Sequence, residues 1–218
     1  MNITPAAAFV RENTAVAATA LLPELRLHLA TEVTPLWEAT EETLQEKNVP
    51  PPYWAFAWPG GQAVARLLLD RPDLVAGRSV LDFAAGTGLV GIAAAMAGAA
   101  SVRSCDIDPF SLAAIRLNAE LNGVRLEATD EDLVDRPLPG VEVVLAGDVC
   151  YERPMAERVT RWLRGIAAGG VLVLLGDPGR SYVPKTGLER VGGYAVPTSL
   201  ELEDRTLRDT TIWRLLPE

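Results

Sequence analysis

Short apolar runs alternate along this chain with segments whose apolar positions recur at helical spacing, and the alternation is that of an α/β protein. The pattern predicts strands over 78–83, 101–106, 124–128, Val141 to Ala146 and 171–175. Helices are expected over Pro59 to Leu69, 88–97, 109–121 and along the apolar stripe Met155, Val159, Trp162 and Ile166. Two further strands fall near 194–202 and 208–215, after the Gly169-Gly170 turn and strand 171–175. Residues 4–30 read as helix: Thr4-Pro5 resembles a cap with proline at the first position, and an Ala-rich stretch with Phe9, Val16, Leu21 and Leu25 follows. Its expected role is packing or covering a pocket. The expected fold is thus a doubly wound, mostly parallel Rossmann-like sheet of seven strands over 51–218, preceded by an N-terminal helical extension over 1–50.

The run Val80-Leu81-Asp82-Phe83-Ala84-Ala85-Gly86-Thr87-Gly88-Leu89-Val90-Gly91 is a strand, a small-residue turn and a helix start, and Asp106-Ile107-Asp108 ends the next strand. Small residues let the backbone reverse and a ligand approach the amides of the following helix. An acid at the end of the second strand can accept both ribose hydroxyls of a nucleoside. The glycine spacing fits NAD dehydrogenases as well as S-adenosylmethionine (SAM) methyltransferases. Two features favour SAM. Asp82 can approach a ligand amino group, whereas a pyrophosphate gains nothing from a carboxylate there. No hydride-transfer set is visible either: Tyr182-x-x-Lys185 has the wrong spacing for the short-chain dehydrogenase pair, and the one histidine is His28. Asp108, followed by Pro109, reads as a helix cap, which leaves the ribose to Asp106. A carboxylate among Asp130, Glu131 and Asp132 is placed to accept the adenine amino group, and the spacing does not choose between them.

Composition narrows the partners. With 20 basic and 29 acidic residues among 218, the net charge is −9, which disfavours a phosphate-binding surface and therefore nucleic acid. An acidic stretch from Glu38 to Glu46 is a solvated face or a docking surface for a basic partner. No membrane span or signal peptide is read, so a cytoplasmic protein is expected, and separately a monomer. Cys105 and Cys150 fall on strands flanking the first, about 9.6 Å apart at 4.8 Å per strand, beyond disulfide reach.

At the reacting end, Asp148 and Tyr151 follow the fourth strand, where the ligand crevice of an open α/β sheet lies. They can orient an amine by accepting its N–H bonds. Amino methyltransferases of adenine and cytosine place Asn/Asp-Pro-Pro-Tyr/Phe here, and Asp148-Val149-Cys150-Tyr151 lacks both prolines. Trp54, Phe56 and Trp58 would share one face of an extended run. Trp58 is assigned to a cation-tolerant pocket wall and Phe56 to the core.

These segments resemble the electron transfer flavoprotein β-subunit lysine methyltransferases, a family of seven-strand SAM-dependent enzymes. The resemblance rests on Pro52-Tyr53-Trp54-x-Phe56-x-Trp58-Pro59-Gly60-Gly61, the glycine turn, Asp106-Ile107-Asp108-Pro109, Gly147-Asp148-x-x-Tyr151, Gly176-Asp177-Pro178-Gly179-Arg180 and Thr211-Ile212-Trp213. It implies SAM on Trp58, Asp82, Ala84, Gly86, Thr87, Gly88, Asp106 and Ile107, and lysine engaged by Asp148 and Tyr151 as catalytic residues. It implies the flavoprotein β subunit as substrate, with lysines beside its dehydrogenase recognition loop, and no metal. Ala84 departs from the usual Asp-x-Gly turn. No mitochondrial transit peptide like that of animal members is read, which points to a bacterial form. Ribosomal protein L11 methyltransferase is the related alternative, sharing Asp-Ile-Asp-Pro but normally carrying a separate N-terminal domain.

Overall fold

The structure is a computed structural model that describes residues 4–30, 51–199 and 203–217. The acidic stretch Glu38 to Glu46 lies outside them. The chain opens on helix α1 (Pro5–Glu12), capped by Thr4, whose hydroxyl accepts the Ala7 amide. Here the sequence expectation fails: residues 15–29 form a hairpin of β1 (Ala15–Thr19) and β2 (Leu22–Leu29), not a continued helix. The hairpin is held from outside. Asn118 accepts the His28 amide at 2.7 Å, and Asn122 accepts the Arg26 amide at 3.0 Å. Such distant pairing overrides the helical preference of an Ala-rich stretch.

A short 3₁₀ turn at Tyr53–Ala55 leads into α2 (Pro59–Asp70), and then the α/β alternation begins. It runs β3 (Ser79–Phe83), α3 (Leu89–Met96), β4 (Ser101–Cys105), α4 (Pro109–Leu121), β5 (Glu127–Thr129), β6 (Val143–Gly147), α5 (Arg153–Ala168) and β7 (Leu172–Asp177). Two antiparallel strands, β8 (Leu188–Pro197) and β9 (Leu207–Leu215), close the edge. The seven-stranded order is β5-β4-β3-β6-β7-β9-β8, with β3 to β7 parallel. This is the expected mostly parallel, doubly wound sheet. No helix among the described residues is long and apolar enough to cross a membrane.

Strand alternation sends successive side chains to two cores. Leu81 and Phe83 join the α5 side with Trp162 and Leu163, while Val80 joins the α2 and α3 side with Val64, Leu68 and Val90. By the same parity Asp82 faces α3. Helix α1 packs through Val10 on Trp54, Ala113 and Ala114, and the hairpin packs through Leu22, Leu25 and Leu27 on α2, α3 and α4. Asn118, wholly buried, joins this N-terminal piece to the glycine turn by donating to the Thr87 carbonyl at 2.9 Å. Neither α1 nor the hairpin lines the cavity described below, so the packing role is the one observed.

The last glycine of the turn fixes how closely α3 approaches the sheet. A Cβ on Gly91 would collide with Ser104 Oγ and lie 2.9 Å from Asp82 Oδ2. Gly91→Ala is therefore expected to cost about 2 kcal/mol through overpacking, lowering the thermal midpoint by about 4–8 °C in a protein this size. A melting curve checks it, and an unchanged midpoint would contradict the close approach.

Candidate functional site

The parallel strands end at a cavity of about 770 Å³. The carboxyl ends of β3, β4 and β6 form its floor through Ala84, Asp106 and Asp148, and Gly86, Ile107, Trp58, Tyr53 and Tyr151 complete the walls. Its position follows from topology: β4 and β6 flank β3, and the chain departs in opposite directions there.

The turn after β3 needs left-handed backbone at Ala84 (φ 52), Gly86 (φ 51) and Gly88 (φ 77). Glycine adopts this conformation freely, whereas Ala84 carries strain of about 1 kcal/mol, which gives the departure at this position a physical meaning. Asp106 is locked to the turn: its Oδ2 accepts the Gly86 amide at 2.8 Å and its Oδ1 the Asp108 amide at 3.0 Å. Burial raises its pKa, opposed by these backbone bonds. The Ser111 side chain is a third hydrogen-bond partner, and the carboxylate keeps acceptor capacity for a ligand hydroxyl. Asp108 caps α4, accepting the Phe110 amide at 2.8 Å.

Asp82 corrects an expectation. It does not line the cavity; its Oδ2 accepts the Gly91 amide at 2.9 Å and the Ser104 hydroxyl at 3.0 Å, which ties α3 to the sheet. Burial pushes its pKa up to about 7, opposed by the Gly91 and Ser104 hydrogen bonds. Thr87 and Gly88 are likewise behind the cavity wall. The Thr87 hydroxyl accepts the Leu89 amide at 3.2 Å, and a Cβ on Gly88 would press on Ile115 at 3.1 Å. These three residues shape the turn, while Ala84, Gly86, Asp106 and Ile107 face the ligand space. Of the acidic run after β5, Glu131 and Asp132 line the cavity and Asp130 does not.

The aromatic run does not lie on one face. Trp54 sits at zero exposure between α1 and α4, stacked on Phe110, and Phe56 is in the same core. Trp58 reaches the cavity, its indole N–H donating to the Tyr53 carbonyl at 2.9 Å. Tyr53 bridges Trp58 and Tyr151, with ring centroids 6.0 and 5.6 Å away.

Asp148 is buried and held in a left-handed conformation (φ 55), a strained geometry of the kind that collects at functional sites. Its Oδ2 accepts the amides of Gly60 and Gly61 at the start of α2, at 2.5 and 3.3 Å. That helix start can come so near because Gly60 and Gly176 lack side chains; a Cβ on Gly60 would lie 2.7 Å from the Asp148 nitrogen. The Oδ1 atom meets Arg180 Nη2 at 3.2 Å. Burial pushes the Asp148 pKa up to about 7, with the Arg180 charge opposing it. Tyr151 stands half exposed, and burial lifts its phenol to about 12, so it stays neutral. Arg180 and the two amides were absent from the sequence-based set. The Gly60-Gly61 pair at a helix start and the Asp-Pro-Gly-Arg run were the signals that could have found them. Burial also pushes both thiols, Cys105 and Cys150, up to about 12, and neither is in a disulfide.

A Xenopus laevis protein named electron transfer flavoprotein beta subunit lysine methyltransferase is 38% identical over 215 residues, covering 96% of this chain and 86% of that protein. The Homo sapiens protein of the same name is 36% identical over 217 residues, covering 96% and 82%. The chain belongs to this lysine methyltransferase family. Residues 67–150 also match the family described as Ribosomal protein L11 methyltransferase (PrmA), which spans the glycine turn and the strands around it. Solved structures share the fold. The magnesium protoporphyrin IX methyltransferase of Synechocystis, crystallised with SAM, aligns at TM-score 0.52 and 17% identity over 71% of this chain and 76% of its own. The ribosomal protein L11 methylase of Lactobacillus delbrueckii subsp. bulgaricus aligns at 0.51 and 19% over 73% and 79%. The lysine methyltransferase relatives extend across the aromatic segment and the strands after β6, which the L11 match does not reach.

Proposed function

We propose that this protein transfers methyl groups from SAM to lysine side chains of the electron transfer flavoprotein β subunit. The observation that carries the reading is the meeting, in one cavity, of a ribose-type carboxylate on β4 with Asp148 and Tyr151 at the end of β6. It occurs in a chain whose full-length relatives carry that name. The cavity fits the cofactor chemically: Asp106 offers acceptors for two hydroxyls, Glu131 and Asp132 offer an acceptor for an adenine amino group, and aromatic faces attract a sulfonium.

When bound, SAM supplies an electrophilic methyl group on a positively charged sulfur. Held by Asp106 with Glu131 or Asp132, it would supply the methyl carbon for a new N–C bond to lysine in place of the S–C bond, with S-adenosylhomocysteine as the leaving group and one proton lost from the nitrogen. Only the neutral amine has the lone pair, and a free lysine holds its proton to about pH 10.4. Desolvation in the cavity favours the neutral form. Asp148 and the Tyr151 oxygen accept the amine's N–H bonds and aim its lone pair, so much of the acceleration comes from alignment. The net charge of −9 suits a basic protein segment. Two free, buried cysteines suit a reducing compartment, and we place the reaction in the cytoplasm.

Mass spectrometry of the purified flavoprotein after incubation with this protein and SAM tests the reading. Methyl-group increments on β-subunit lysines are expected. Methylation of ribosomal protein L11 with none on the flavoprotein would overturn it.

A further inference from the structure

The carboxylate that faces the acceptor is part of a longer chain of charges. Asp148 Oδ1 meets Arg180 Nη2 at 3.2 Å, and the same guanidinium is bound through Nη1, at 3.2 Å, and Nη2 to Glu203. Glu203, whose side chain is 2% exposed, is held in turn by Arg208 of β9 through Nη2 at 2.8 Å and Nε at 3.1 Å. Arg180 is placed by its own backbone, because Asp177 Oδ1 accepts its amide at 2.6 Å and that of Gly179 at 2.7 Å. The guanidinium also lines the cavity. Arg180 therefore cannot drift from Asp148 without leaving a buried glutamate half-paired.

We propose, on the lysine methyltransferase reading above, that Arg180 is a positioning residue: anchored on Glu203, it makes Asp148 meet the incoming amine as half of a neutral ion pair. A lone buried carboxylate would be the wrong partner for this chemistry. It would either take a proton, and so turn an O–H donor toward the amine, or bind lysine as an ammonium, which has no lone pair. Paired with a guanidinium, the carboxylate still accepts an N–H bond but no longer stabilises an extra proton in the cavity. The groups that face Asp148 agree with this balance. Asp177 at the end of β7, with Cys150 and Tyr151 after β6, adds no positive charge, and α2 contributes only the neutral Gly60 and Gly61 amides. Arg180 is the cation in contact with Asp148, and Glu203 and Arg208 compensate each other behind it.

The test replaces Arg180 by Gln and by Lys. Carboxyl NMR of the ligand-free protein labelled at aspartate, with the Asp148 signal assigned through Asp148→Asn, reads the proton affinity directly. Arg180→Gln should move the Asp148 titration upward by about one pH unit or more, and Arg180→Lys should leave it near that of the parent. In methyl transfer, the acid limb of kcat should shift upward by the same amount in Arg180→Gln. Turnover should then be about fivefold lower at pH 7, where the parent carboxylate is half ionised, and recover at higher pH, with KM for SAM unchanged. Arg180→Met, which keeps the apolar stem, is the second neutral variant should the Gln protein not fold. An unmoved titration in the neutral variants, a Lys variant shifted as far as them, or an activity loss that does not recover with pH would each overturn the role. The titration needs neither cofactor nor substrate, so a failure of the positioning role is distinguishable from a failure of the methyltransferase reading.

Discussion

Asp148→Asn is expected to lower kcat for methyl transfer by about 10²-fold or more while SAM affinity stays within about twofold of the parent protein. The reason lies in the three bonds that Asp148 already makes. One oxygen accepts two amides from the start of α2, and the other accepts from Arg180. An asparagine can keep its oxygen on the amides, but its NH₂ then faces the Arg180 guanidinium, donor against donor. The side chain must turn or Arg180 must withdraw, and either leaves the amine without an aligned acceptor. Tyr151→Phe removes one acceptor without this conflict and is expected to cost less, about tenfold in kcat. Single-turnover rates with saturating SAM, beside calorimetric binding of S-adenosylhomocysteine, separate chemistry from cofactor affinity. Undiminished turnover in both variants would remove these residues from the mechanism.

Asp106→Asn should act on the other half of the reaction, weakening SAM and S-adenosylhomocysteine binding by about 10²-fold or more. Both Asp106 oxygens accept backbone amides, from Gly86 and from Asp108. An asparagine offers an oxygen to only one of them, so the turn loses a bond at the same time as the ribose does. Hydrogen bonds to a charged acceptor contribute about 1.5–3 kcal/mol each, and two such losses reach the hundredfold range. Calorimetry reads the change. Wild-type affinity in this variant would mean that the nucleoside is held elsewhere.

The central strands β3, β6 and β7 were legible because they are buried on both faces, and such strands print nearly continuous apolar runs in the chain. Helix α4 was predicted over its observed span, since Asp108-Pro109 and Asn122-Gly123 mark both ends chemically. The hairpin of β1 and β2 was not legible. Its sequence favours helix locally, and what decides it is the pairing with Asn118 and Asn122, some 90 residues away along the chain. The placement of Asp82 behind the cavity wall was not legible for a different reason. A carboxylate near a strand end looks the same in sequence whether it faces a ligand or a helix amide, and only the parity of β3 settles which. Trp54 shows the same limit, because a 3₁₀ turn breaks the alternation that an extended run would have had. Arg180 escaped notice since its importance comes from Glu203, which reaches it from the far side of β8 in sequence.

The central claim is that the cavity at the strand ends grips an adenosyl group through Asp106 and turns its sulfur toward Asp148 and Tyr151. A crystal structure of the complex with S-adenosylhomocysteine tests this most directly. The account predicts both ribose hydroxyls within hydrogen-bonding distance of the Asp106 carboxylate and the sulfur facing the Asp148 side of the cavity. A nucleoside bound outside this cavity, or an Asp106 carboxylate turned away from the sugar, would contradict it.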